Sequence, residues 1–275
     1  MKAKETSSVR ATVRSADGTR IAFERSGQGD PVILVASALA DRRDAGKLAR
    51  LLADHFTVIN YDRRGRGASE DAAAYAVERE VEDIAALVDR AGGSASVFGS
   101  STGALLALRA GAAGLGIRRL VLFEPPLPAA DGFRVPPDHA ARIDALLADD
   151  RRSAAVRYFM TEVQGVPPAM IAMMRLLPGT WPALTRLAHT LPYDLALLAQ
   201  TGIAGADPSG DWGSVTAPTL VLTGGKSPSG FHAAAETITI ALPTAEHRTL
   251  PGLNHGAVVM APRKLAPAVV AFLTG

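Results

Sequence analysis

The 275-residue sequence predicts an α/β domain, a mostly parallel twisted sheet flanked by helices, with a helical insertion after the sixth strand. Three observations carry this expectation. Short apolar, β-branched runs such as PVILVA (31–36), FTVINY (56–61), RLVLF (119–123) and PTLVLT (218–223) have the composition of strands buried on both faces. Segments of helical periodicity separate these runs, as crossovers between parallel strands require. The alternation stops after Glu124-Pro125-Pro126 and returns only at Pro218.

In order, Val9–Arg14 and Arg20–Arg25 alternate apolar and polar residues around Asp17-Gly18, which predicts a half-buried hairpin. The third strand is Pro31–Ala36, a helix follows over Leu48–His55, and Phe56–Tyr61 is the fourth strand. The loop DRRGRGAS (62–69) leads to a helix over Tyr75–Ala91, with Val77, Val81, Ile84, Ala85 and Val88 at helical spacing. Ser94–Phe98 is the fifth strand, Thr102–Ala113 a helix rich in small residues, and Arg119–Phe123 the sixth strand. From Leu127 to Asp211 the pattern is helical and punctuated by prolines, with helices expected over Ala140–Leu147, Ala154–Gln164, Pro168–Leu177 and Trp181–Leu191. Such an insertion between two strands reads as a lid (127–211) on a core of 1–126 and 212–275. Strand Pro218–Thr223, helix Phe231–Ala241, strand Glu246–Leu250 and helix Ala261–Leu273 close the domain.

Composition narrows the class of function. Lys plus Arg number 29 and Asp plus Glu 27, so the charge is nearly balanced despite a pI of about 9.1. The arginines are dispersed and aromatics are 5% of residues, a pattern that does not match a nucleic-acid surface. Cysteine is absent, which removes disulfides, thiolate chemistry and cysteine-ligated metal. The start MKAKETSSVRATVRS lacks the apolar core of a signal peptide and no apolar run reaches membrane-spanning length, so a cytoplasmic protein is expected.

The chemistry centres on SVFGSSTGALLAL (96–108), where Gly99, Ser101 and Gly103 spell G-x-S-x-G. Serine is a poor nucleophile unless it is exposed beside a base. A strand-turn-helix corner flanked by glycines supplies that exposure, and here a strand precedes the motif and a helix follows it. Without a base the same residues would be only a tight, serine-rich turn.

Together with YDRRGRGAS (61–69) and the terminal LPGLNHG (250–256), this motif makes the chain resemble the α/β-hydrolase superfamily over nearly its whole length. More narrowly it is similar to lid-bearing bacterial serine hydrolases. The resemblance implies the α/β-hydrolase fold and the order Ser…acid…His. It implies Ser101 as nucleophile and His255, on the loop after the last strand, as base; of the other histidines, His232 is the alternative. The oxyanion donors would be the backbone N–H groups of Thr102 and Ala38. Relatives often carry His-Gly in the loop after the third strand, where this chain has Ala36-Ser37. The usual acid position after the seventh strand, GGKSPSG (224–230), has no carboxylate. Glu124, after the sixth strand, is the replacement, with a purely structural role as its alternative. Asp207 and Asp211 are outside candidates, and Ser227 or Ser229 could complete a dyad.

Other features read as scaffold. Asp62, Arg63, Arg64 and Arg66 are expected to brace the loop at the sheet's rim rather than to bind a phosphate, and Glu78/Glu80 with Glu82/Asp83 to form the solvated face of a helix. Met160, Met170, Met173 and Met174 suit an adaptable pocket wall or ordinary packing. The histidines are dispersed without metal-ligand spacing, so neither metal nor cofactor is expected. The expectation is a cofactor-free serine hydrolase, monomeric or homodimeric, cleaving a small or medium-sized apolar ester, thioester or lactone through an acyl-enzyme. Its rivals are a lyase, cyclase or other non-hydrolytic enzyme on the same fold, and a catalytically silent small-molecule-binding protein.

Overall fold

The computed structural model describes residues 8–72, 74–127, 137–201 and 212–275. Its eight-stranded sheet has the order β1-β2-β4-β3-β5-β6-β7-β8. The strands are β1 (Val9–Arg14), β2 (Arg20–Ser26), β3 (Pro31–Val35), β4 (Thr57–Tyr61), β5 (Ala95–Ser100), β6 (Ile117–Phe123), β7 (Thr219–Gly224) and β8 (Ala245–Leu250). β2 runs antiparallel to β1 and β4, and every other pairing is parallel.

The central strands bury alternate residues in two separate cores, as the two-residue side-chain period requires. Ile33, Val35, Val97, Leu120, Leu122 and Val221 face one core. Val32, Leu34, Phe98, Val121, Leu220 and Leu222 face the other. The first core packs on α2 (Val77–Arg90), α3 (Thr102–Ala112) and α9 (Ser229–Ala241), together with the helices inserted between β6 and β7. The second packs on α1 (Gly46–Leu52), α10 (Ala257–Met260) and α11 (Pro262–Thr274). The outer strands β1 and β8 are largely exposed and carry Arg10, Arg14, Glu246 and Arg248, charges that discourage edge-to-edge pairing.

Between β6 and β7 lie α4 (Pro137–Ala148), α5 (Arg152–Tyr158), α6 (Pro168–Leu176), α7 (Thr180–Arg186) and α8 (Leu191–Thr201), with no strand among the described residues. Two details differ from the periodicity. The helix expected over Ala154–Gln164 is α5 followed by a π-helical turn, Phe159–Val163. The helix expected to end at Leu191 ends at Arg186; after a short 3₁₀ turn the chain starts α8, with Pro192 at its second position. A proline in the first turn of a helix gives up only an N–H that has no partner there.

The polar residues of α2 require a correction. Glu78 is exposed, but Glu80 and Asp83 are buried at 1% and 0% exposure, so they do not belong to a solvated face. They fall in the stripe of Val77, Ile84, Leu87 and Val88, and meet the guanidinium groups of Arg63 and Arg64. Asp207 and Asp211, and the expected lid boundary at Asp211, lie outside the described residues.

Candidate active site

Ser101 occupies the corner between β5 and α3 with φ 52° and ψ −125°, a left-handed conformation that a non-glycine residue keeps only where its surroundings hold it. The flanking glycines make the corner possible by close approach. A Cβ on Gly99 would lie 2.3 Å from the Gly103 carbonyl oxygen, and one on Gly103 would lie 2.5 Å from that of Val35. The start of α3 therefore presses directly on the end of β3, where the loop Ala36-Ser37-Ala38 begins. The Ser101 N–H donates to the Phe123 carbonyl at 2.9 Å, which ties the corner to the residue before Glu124.

Glu124 is fully buried at the end of β6, also left-handed at φ 49°, and its N–H donates to Leu222 of β7 at 2.9 Å. One carboxylate oxygen, Oε1, accepts the Gly224 N–H at 2.6 Å and the Ser227 hydroxyl. The other, Oε2, accepts His255 Nδ1–H at 2.7 Å. The carboxylate-free loop after β7 thus supplies two donors that orient a carboxylate from β6. That loop is bonded in turn to the His255 loop: the N–H groups of Gly225 and Lys226 donate to the carbonyls of Leu250 and Leu253. The His255 ring stacks on Phe231 with centroids 4.5 Å apart. With Nδ1 committed as donor, Nε2 is the acceptor nitrogen. Neither it nor Ser101 Oγ has a hydrogen-bond partner among the described residues.

Thr102 is the first residue of α3, so its backbone N–H has no intrahelical acceptor and lies at the positive end of the helix dipole. Ala38 is half-buried beside Leu39, which turns the loop with φ 53°. No histidine braces this loop; two arginines do. Arg63 Nη1 donates to the Ala36 carbonyl at 3.3 Å. Arg66 Nη1 donates to those of Ser37 at 2.6 Å and Ala40 at 3.3 Å. Both guanidiniums are buried and need counter-charges. Glu80 takes Arg63 in a two-point pair at 2.6 Å. Asp194, fully buried on α8, takes Arg63 at 2.8 Å through Oδ1 and Arg66 at 2.7 Å through Oδ2, and also accepts the Thr102 hydroxyl at 2.8 Å.

Burial pushes the carboxyls of Asp194 and Glu80 up, but the guanidiniums outweigh it and hold both below the usual carboxylate range. Arg64 is engaged separately, by Asp83, Asp17 and the Arg79 carbonyl.

The structure thus brings Glu124 and His255 into contact and sets Ser101 beside Glu124 through the Phe123 carbonyl. His232 belongs to a different cluster, with Thr223 and His247, and Thr223 bonds His247 Nε2 at 2.8 Å. Asp194 was invisible to sequence reasoning because it acts across 131 residues on Arg63. Ser227 had a signal, a hydroxyl in the loop that lacks the acid. A basic depression lined by Arg151, Arg152, Arg157 and Arg175 lies on the inserted helices and includes none of these residues. The described residues contain no metal-binding cluster and no helix long and apolar enough to cross a membrane.

Comparison with known proteins gives a consistent picture. The alpha/beta hydrolase family matches over residues 32–268. An alpha/beta hydrolase from Sphaerobacter thermophilus DSM 20745 is 50% identical, with a TM-score of 0.89 over 96% of this chain and 100% of that one. A hydrolase from Pseudomonas aeruginosa PA01 is 25% identical, with a TM-score of 0.72 over 97% and 98% of the two chains. BpoC of Mycobacterium tuberculosis, provisionally named a non-heme bromoperoxidase, is 34% identical over 94 residues. That match covers 32% of this chain, which spans about a third (34%) of the length of the curated relatives it matches.

Proposed function

The chain belongs to the alpha/beta hydrolase family, and from that premise we propose that it is a serine hydrolase cleaving a small or medium-sized apolar ester, thioester or lactone through an acyl-enzyme. Ser101 Oγ attacks the acyl carbonyl while His255 Nε2 takes its proton. The tetrahedral oxyanion is held by the amides of Thr102 and Ala38, the first strengthened by the dipole of α3. Collapse breaks the acyl–leaving-group bond, and the imidazolium returns the proton to the departing alkoxide or thiolate. Water, deprotonated by His255, then releases the acid and restores Ser101. Throughout, Glu124 fixes the His255 tautomer and stabilises the imidazolium. Apart from the substrate and one water, the steps use side chains and backbone amides of this chain.

The observation that carries this proposal is the 2.7 Å contact of Glu124 Oε2 with His255 Nδ1. It lies one residue from the carbonyl that accepts the Ser101 N–H. A carboxylate whose other oxygen already has two donors is rigid enough to orient an imidazole. A second proposal, non-hydrolytic chemistry at the same serine, draws on the segment shared with BpoC.

Treatment with an active-site-directed fluorophosphonate, read by intact mass, tests the assignment. One label per chain is expected, lost in Ser101→Ala, together with hydrolysis of short-chain or medium-chain p-nitrophenyl esters. A folded wild-type protein that takes no label would refute an activated serine. Labelling without hydrolysis of any such ester would move the assignment to the second proposal.

A further inference from the structure

We propose that Asp194 is a positioning residue for the oxyanion loop: from α8 it orients Arg63 and Arg66 so that they grip the carbonyls of Ala36, Ser37 and Ala40. This rests on the serine-hydrolase assignment above and extends it to a residue far away in sequence. The geometry is specific. Each oxygen of the buried carboxylate takes a different guanidinium: Arg63 Nη1 is shared between Asp194 and the Ala36 carbonyl, and Arg66 gives Nη2 to Asp194 and Nη1 to the Ser37 and Ala40 carbonyls. Oδ1 also accepts the hydroxyl of Thr102, whose own backbone N–H is the other proposed oxyanion donor. One carboxylate therefore sets both halves of the oxyanion site, a task that a histidine side chain in the loop would otherwise share.

Asp194 comes from the inserted helices, and those helices touch the core at several neighbouring points. Tyr75 and Tyr193 stack with centroids 3.9 Å apart, the Tyr193 hydroxyl donates to Asp71, and His189 Nε2 donates to the Gly65 carbonyl. The seating of the insertion is thereby linked mechanically to the loop that stabilises developing charge. Asp83, by contrast, neutralises Arg64 in an equally buried pair that does not touch the oxyanion loop. It separates a positioning role from simple neutralisation of a buried arginine.

The test compares Asp194→Asn with Asp83→Asn, at a temperature where both are folded by circular dichroism, on an ester whose hydrolysis Ser101→Ala abolishes. Removing one oxyanion donor typically costs on the order of 100-fold to 1000-fold in kcat. Loosening two donors is expected to lower kcat by at least about tenfold. KM should stay within about threefold, because the loss falls on the transition state. Asp83→Asn should keep wild-type kcat. Crystal structures should show the Ala36–Ala40 backbone displaced in Asp194→Asn and in place in Asp83→Asn. If Asp194→Asn does not fold, Arg66→Lys serves. It keeps the charge beside Asp194, but a single ammonium cannot span the carboxylate and two carbonyls, so the same fall in kcat is expected. Unchanged kcat with an undisplaced loop would overturn the proposal, as would an equal loss in Asp83→Asn. Should Ser101→Ala leave ester turnover intact, the serine-hydrolase assignment falls, and loop displacement alone decides the role of Asp194.

Discussion

Ser101, Glu124 and Leu39 hold left-handed backbone without being glycine, and all three lie at the rim where the sheet's parallel strands end. Each such conformation costs about 1–3 kcal/mol, and each is maintained here by neighbouring backbone or close packing. Glu124 is the most heavily constrained, with its N–H on Leu222, one carboxylate oxygen on Gly224 and Ser227, and the other on His255. Glu124→Gln keeps the size and one carbonyl acceptor but removes the charge that stabilises an imidazolium. We expect it to lower kcat at least about tenfold with little change in folding. Steady-state kinetics beside a denaturation curve checks this, and unchanged turnover would remove Glu124 from the proposed triad.

At the scale of elements, the strands and the helices of the core were legible because they are long, regular and apolar. Alternate residues of β3, β5, β6 and β7 had to find two cores, and the polar residues buried in them, Ser96, Ser100, Thr219 and Thr223, are small. What escaped was the polar content of buried faces. Glu80 and Asp83 lie on the apolar stripe of α2, where the 3.6-residue period already places them beside Ile84 and Leu87. Composition argued for solvent because carboxylates are rarely buried unless paired, and their partners, Arg63 and Arg64, come from a loop. The start of α8 was hidden by Pro192, which reads as a break and is a first-turn residue. The candidate site was legible to the extent that chain order matters: Ser101, Glu124 and His255 are proposed by position, and the structure joins the last two, whereas Asp194 has no local signature. Burial of the Glu80–Arg63 pair makes a strong prediction. Glu80→Gln leaves the buried guanidiniums of Arg63 and Arg66 with the single charge of Asp194 between them and is expected to cost about 3–5 kcal/mol. For a chain of this size that lowers Tm on the order of 10 °C, measurable by calorimetry. A shift of 1 °C or less would show that Asp194 alone neutralises Arg63.

Across the whole molecule, the buried ion network joins four regions distant in sequence: the loop after β3, the loop after β4, helix α2 and helix α8. The ion pairs of this network are charge-assisted, so their strength depends on the carboxylates staying ionised. The Asp194 carboxyl is held below its ordinary value in the folded protein, whereas in the unfolded chain it titrates near about 3.9. Between those two values the unfolded state binds more protons, so stability falls as the pH falls. The contribution of Asp194 is therefore complete above about pH 5 and is lost as the pH drops through the folded value. Glu80 is shifted in the same direction and adds to the slope. Asp194→Asn has no proton to take up at this position. The stability difference between wild type and Asp194→Asn, from urea unfolding at a series of pH values, should be constant from about pH 7 to 5 and shrink steadily below about pH 4. A difference that stays the same down to pH 3 would mean that Asp194 is not the charged partner of Arg63 and Arg66. The core and the inserted helices would then be held together without that charge, by apolar packing and by the Tyr193–Asp71 and His189–Gly65 hydrogen bonds.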